Sequence, residues 1–265
     1  MVWAFDRFKE FGISKLIDQH AIRYHIAYFA TAVGPRKPQH LFIHIPKNGG
    51  MSIRKAPQLE GQILPATRKR LKSKAYSNAV LETMKASGDH PDYEHARYRD
   101  VRPSIRKANN AFAIVRNPWS RVVSRRTFSL HAMNDGRSPG EYSAWDFEDF
   151  LEERHKWGDK DFFWHRAIRY WYPQLDYVVD ESGEKSVNLF RLEDLCTEFA
   201  EYFKIAGDPK PRNVTSRSKK HCRLYYTPKT IQIVADWYAK DIQTFGFDFD
   251  TSASRTVSLS PEPFV

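Results

Sequence analysis

The stretch Leu41 to Ser52 (LFIHIPKNGGMS) constrains the fold more than any other. Leu41-Phe42-Ile43-His44-Ile45 is short, mostly apolar and partly β-branched, and Pro46 closes it. That pattern predicts a buried strand of a parallel sheet. Lys47-Asn48-Gly49-Gly50 follows as a tight turn, where two residues without a β-carbon let the backbone bend and bring N–H groups close to a ligand. Met51 to Lys55 reads as a first helical turn. A helix start offers unpaired N–H groups and the positive end of the dipole, which suit a phosphate. The plainer alternative is an ordinary strand-to-helix turn. In the Walker loop the lysine follows the last glycine; here Lys47 precedes both glycines, and Ser52 comes after them.

A second signature lies further along. Ala111 to Val115 repeats the buried-strand pattern and runs into Arg116-Asn117-Pro118-Trp119-Ser120-Arg121-Val122-Val123-Ser124. Asn117 suits an N-cap and Pro118 the first helical position. Arg116 then stands at the carboxyl end of a strand, where open α/β sheets bind ligands. Ser124 lies two turns into the helix. A guanidinium fork fits a phosphate dianion, and a serine adds a neutral donor.

The two motifs together, PKxGG followed by a hydroxyl residue and then RNPWSRVVS, resemble the sulfotransferases, particularly the carbohydrate (heparan- and chondroitin-type) branch. The resemblance covers roughly residues 39–250 and is weakest between about 55 and 90. It implies an α/β, P-loop-like three-layer fold with a central, mainly parallel sheet flanked by helices. It also implies 3′-phosphoadenosine 5′-phosphosulfate as sulfuryl donor, 3′-phosphoadenosine 5′-phosphate as product, and no metal. Lys47, Asn48, Gly49, Gly50, Met51 and Ser52 would hold the 5′-phosphosulfate, with Lys47 neutralising charge on the bridging oxygen. Arg116 and Ser124 would anchor the 3′-phosphate. Relatives usually carry Thr where Met51 stands, so a side-chain donor is missing there.

Transfer to a hydroxyl needs a base, and histidine titrates near neutrality. In the carbohydrate branch a histidine ahead of the second strand does this work. His95, 21 residues before Arg116, resembles it, although Arg97 stands where a small hydroxyl residue is usual. His90 and Glu94 are the alternatives. In relatives a loop at the place of residues 211–220 closes over the nucleotide. Arg217 and Lys219 are therefore expected near the donor's 3′ side, or else belong to a solvated loop.

Composition agrees with an anion-handling enzyme. The 265 residues carry a formal charge of +10, which points to anionic partners. Charge alone admits nucleic acid; the motifs favour a nucleotide donor and a carbohydrate acceptor instead. Two cysteines, Cys196 and Cys222, are too few for a disulfide framework. No apolar run is long enough for a membrane span, and residues 1–33 lack a signal-peptide layout. The expected setting is cytoplasmic, with a luminal Golgi domain lacking its anchor as the alternative.

The remaining expectations concern organisation. The chain reads as one sulfotransferase domain over residues 1–265, comprising a helical extension and linker at 1–38 and a loose tail at 251–265. Arg68, Lys69, Arg70, Lys72 and Lys74 form either a solvated face or a landing strip for an acidic acceptor. Tyr76 to Ala86 reads as a helix. Phe147, Phe150 and Leu151 have helical spacing, which favours core packing over a sugar-stacking platform for the aromatic residues of 145–172. Pro173 to Asp180 leads into a strand, Glu181 to Glu184 forms a hairpin-like turn, and Val187 to Phe190 is the partner strand. A helix follows Arg191, and another starts at Thr227-Pro228 and runs to Gly246. A polar loop is expected over 131–143. Two other classes of function stay open: a non-catalytic binder of anionic polysaccharide on the same fold, and a kinase with an unusual phosphate loop.

Overall fold

The computed structural model describes residues 40–86, 95–134, 146–157, 170–205 and 222–249. The chain divides into two units, Met1–Pro38 and Gln39–Val265, and every described residue lies in the second. The extension at 1–38, the tail at 251–265, His90, Glu94, Arg217 and Lys219 fall outside the described residues.

Among the described residues four strands form one parallel sheet: β1 (His40–Ile43), β2 (Ile63–Pro65), β3 (Asn110–Val115) and β4 (Asn188–Arg191). Their order is β2-β1-β3-β4. The helices are α1 (Gly50–Arg54), α2 (Lys74–Ala86), α3 (Pro103–Ala108), α4 (Pro118–Asn134) and α5 (Phe147–Trp157). They continue with α6 (Leu175–Val178), α7 (Leu195–Phe203), α8 (Pro228–Trp237) and α9 (Ala239–Phe245).

Alternation along the strands builds a core on each face of the sheet. Leu41, Ile43, Ala111, Ala113, Val115 and Leu189 pack with Val80 and Met84 of α2, Tyr177 and Val178 of α6, and Phe245 of α9. Phe42, Phe112, Ile114 and Phe190 face the other way, against Ile53 of α1 and Phe199 and Phe203 of α7. Helix, sheet and helix make the three α/β layers the sequence calls for. A third apolar cluster joins Trp119 and Val122 of α4, Phe147, Phe150 and Leu151 of α5, and Trp171, Val234 and Tyr238. The aromatic residues at Phe147, Phe150 and Trp171 are thus core.

The structure departs from the sequence reading in several places. Tyr177-Val178-Val179 is no strand: Leu175–Val178 is one helical turn, and Val179 makes only an isolated antiparallel bridge to Lys185. Asn188–Arg191 pairs parallel with β3 instead. The cause is a distant carboxylate. Asp241 accepts the Gln174 and Leu175 N–H groups at 2.7 and 2.9 Å, capping the turn. Burial pushes Asp241 up to about 6. The last helix breaks at Tyr238 (φ −108, ψ 27), whose buried ring and hydroxyl bond to the Tyr170 carbonyl fix the bend. Helix α4 runs to Asn134, past the expected start of the polar loop. Strand β2 was not anticipated; at three residues ending in Pro65, on a sheet edge, its signal is weak.

Strand order reverses between β1 and β3, since the chain moves from β1 outward to β2 and then back across to β3. At such a switch point the loops leave the carboxyl ends of the two strands in opposite directions and open a crevice. The PKNGG turn leaves β1 there, and Arg116 leaves β3.

Candidate functional site

Backbone geometry sets the turn after β1. Lys47 (φ 69) and Gly49 (φ 76) both take the left-handed conformation, uncommon for a residue with a side chain. Arg116 holds Lys47 there, donating from Nη1 to the Lys47 carbonyl at 3.0 Å. The two glycines answer different demands. Gly49 supplies the positive φ, and a β-carbon on it would come within 2.8 Å of Leu192 Cδ1. Gly50 lies against the His44 ring, where a β-carbon would sit 2.0 Å from Nε2. That ring cannot step aside, because it stacks on Phe42 at 5.3 Å and abuts His95 at 4.3 Å. Gly50→Ala is therefore expected to destabilise the fold by about 3 kcal/mol in denaturant unfolding. Gly61→Ala, at φ 74 with nothing within 4 Å, costs only about 1 kcal/mol of backbone strain and serves as the control.

Some expected donors are spent inside the protein. Asn48 is 1% exposed, and its Nδ2 donates to the Ile114 carbonyl at 2.7 Å and to Gln174 Oε1 at 2.6 Å. The Ser52 N–H closes the turn on the Gly49 carbonyl at 2.9 Å. The backbone groups that can meet a ligand narrow to those of residues 48–51. Met51 lends no oxygen; its Sδ lies 3.8 Å from Arg54 Nη1.

Gln174 was not legible in the sequence, yet it ties the two halves of the site together. Its side-chain amide pairs with Arg116 like one more strand rung: Oε1 accepts the Arg116 N–H at 2.9 Å, and Nε2 donates to the Arg116 carbonyl at 2.8 Å. The same Oε1 accepts from Asn48, so a single buried glutamine fixes the β1 turn to the end of β3. Asp241, in turn, holds the Gln174 backbone.

Arg116 stands one residue past β3. Its Nε donates to Ser120 Oγ at 2.7 Å. The cap expected at Asn117 is present, with Oδ1 accepting the Trp119 N–H at 3.1 Å. Ser124 lies one turn beyond Ser120 on α4, half-buried, and its hydroxyl makes no hydrogen bond among the described residues. Two further arginines on α4 were missed. Arg121 is 2% exposed and donates to the Pro46 carbonyl at 3.2 Å and the Tyr172 carbonyl at 3.0 Å, with Nη2 lacking a partner among the described residues. Arg125 pairs with Glu153 at 3.1 Å.

These cations crowd Lys47. Burial first, then the charges of Arg116 and Arg125, push the Lys47 ammonium down to about 7. Burial likewise lowers Arg116, against the opposing pull of Glu193. Among the described residues Lys47 Nζ has no hydrogen bond and no ion pair, and it rests 4.1 Å over the Phe128 ring. Arg125 is matched by Glu153 and Arg116 feels Glu193, while Lys47 has no carboxylate partner among the described residues, an excess of positive charge that an anion would relieve. The thiol of Cys222, three residues past Lys219, is close enough to Arg116 for their charges to interact.

His95 joins the site from the other flank. It is 7% exposed, and Nδ1 lies 2.6 Å from the His44 carbonyl. A carbonyl only accepts, so Nδ1 carries a proton, and in the neutral form of the ring the lone pair belongs to Nε2. The Ala96 N–H bonds the Ala66 carbonyl past β2, which seats this segment at the carboxyl edge of the sheet. The turn after β1 and the end of β3 thus bring Lys47, Arg116 and Arg121 together, with His95 against the His44 carbonyl on the other flank.

Among the described residues no helix is long and apolar enough to cross a membrane, and no group of three or more His, Cys, Asp or Glu is placed to hold a metal. No protein-family model matches the chain, and no curated protein matches it. Among solved structures the chain is similar to a sulfotransferase from Alicyclobacillus acidocaldarius, with 14% sequence identity, 80% of this chain and 97% of that one covered, and a TM-score of 0.36.

Proposed function

We propose that the chain is a sulfotransferase of the carbohydrate type, moving the sulfuryl group of 3′-phosphoadenosine 5′-phosphosulfate to an acceptor hydroxyl. The observation that carries the reading is the placement of Lys47, with no ion pair among the described residues, beside Arg116 at the switch point between β1 and β3. Two phosphate-bearing ends of one donor match two cationic anchors. Arg116, with Ser124 a turn beyond its Ser120 contact, suits the 3′-phosphate. The turn and Lys47 suit the phosphosulfate. Arg217 and Lys219, in the loop expected over residues 211–220, would approach the 3′ side.

In the reaction, Nε2 of His95 takes the proton of the acceptor hydroxyl as its oxygen attacks sulfur in line. The bond from sulfur to the bridging oxygen breaks, and the electron pair leaves with 3′-phosphoadenosine 5′-phosphate. Lys47 neutralises that oxygen as its charge grows. Positioning and charge stabilisation do most of the work, as in phosphoryl transfer. The pairing of the segment after β2 with the segment after His95 supports an acidic acceptor. The Arg102 N–H bonds the Arg70 carbonyl and the Lys72 N–H the Asp100 carbonyl, which holds the Arg68–Arg70 turn against the segment that follows His95.

The test is transfer from radiolabelled donor to a panel of polysaccharides in the presence of a chelator. Labelled, acid-stable polymer is expected. Polymer binding without label would favour the non-catalytic alternative, and activity that needs Mg²⁺ would favour a kinase.

A further inference from the structure

We propose that Phe128 is a positioning residue for Lys47, its ring holding the lysine ammonium in the anion site until a ligand's negative charge takes over. The inference rests on the sulfotransferase reading for the role of Lys47, but the pairing itself stands on geometry. Nζ lies 4.1 Å from the ring centroid, well within cation–π range. The charges felt most strongly by Lys47 are those of Arg116 and Arg125, both repulsive, so the negative ring face is its attractive contact among the described residues.

Packing does not explain Phe128. It is 36% exposed, unlike the aromatic residues of the core, and it lies 6.3 Å from the Tyr170 ring, which stands under Arg125 at 4.4 Å. Its place on α4 does explain it. Ser120, Ser124 and Phe128 fall at four-residue intervals and share one helix face. Ser120 bonds Arg116 at one end of that face, and Phe128 holds Lys47 at the other. One face of one helix thereby sets the spacing of the two cations. A lysine seated on a ring is still free to swing to an anion, because cation–π contact fixes distance without consuming the N–H donors. A carboxylate in the same place would neutralise the pocket.

The experiment follows the Cε and Hε resonances of Lys47 against pH in the whole protein, for wild type, Phe128→Leu and Phe128→Tyr. Binding of adenosine 3′,5′-bisphosphate at pH 7 is measured in parallel. Ring-shifted Lys47 signals in wild type, a lower Lys47 pKa and about three- to tenfold weaker binding in Phe128→Leu, and recovery of both in Phe128→Tyr are expected. An unchanged Lys47 pKa and unchanged affinity in Phe128→Leu would overturn the proposal. Should wild type fail to bind the nucleotide while the Lys47 pKa still follows the ring, the donor reading falls and the pairing stands.

Discussion

Lys47→Met is expected to slow sulfuryl transfer by about a hundredfold to a thousandfold, the range seen when one preorganised charge is removed from a developing oxyanion. The same change should raise the melting temperature near neutral pH, and this pairing makes the prediction sharp. In the folded protein Lys47 titrates near 7, against 10.5 for an ordinary lysine. Between those values the unfolded chain binds the extra proton, so stability contributed by this group grows as pH rises from 7 toward 10 and is lost as pH falls through 7. Removing the ammonium removes that penalty, while methionine keeps the apolar stem. A lysine with a merely structural role would lose stability on replacement. Steady-state rates and thermal melts on one preparation read both effects.

His95→Asn is the second large effect. Asparagine Nδ2 can replace Nδ1 as donor to the His44 carbonyl, now bonded at 2.6 Å, but it offers no basic nitrogen in place of Nε2. The turnover number is expected to fall by about 10²–10⁴, with affinity for the nucleotide product changed by less than about threefold. His95→Ala would confuse the issue, because it leaves the buried His44 carbonyl without that donor and costs about 1–3 kcal/mol of stability. Activity retained in the asparagine variant would assign the proton transfer to another group.

The contrast between what the sequence discloses and what it hides follows interaction range. Leu41 to Ile43 and Ala111 to Val115 are strands buried on both faces, so their apolar runs are continuous and easily read. Arg116, Asn117 and Pro118 declare a strand end and helix start within three residues. Gly49 was foreseen for its backbone. The demand on Gly50 comes from the His44 ring and is invisible until the turn closes. Gln174 and Asp241 are 58 and 66 residues from their respective partners Arg116 and Leu175, and nothing local marks them. That same distant carboxylate turned Tyr177-Val178 from an expected strand into a helical turn, since a short apolar run is ambiguous by itself. Arg121 and Arg125 carry no local signal of burial. Only the packing of α4 against the β1 turn and α5 makes them buried.

The most direct test of the account is calorimetric titration of 3′-phosphoadenosine 5′-phosphate into wild type, Arg116→Ala and His95→Asn. Wild type should bind with micromolar affinity. Binding should weaken between about pH 7 and pH 9 as Lys47 loses its proton. Arg116→Ala should lose about a hundredfold or more, and His95→Asn should bind like wild type. A wild-type protein with no affinity for this nucleotide would contradict the account, and the cluster of cations between β1 and β3 would then have to serve a different anion.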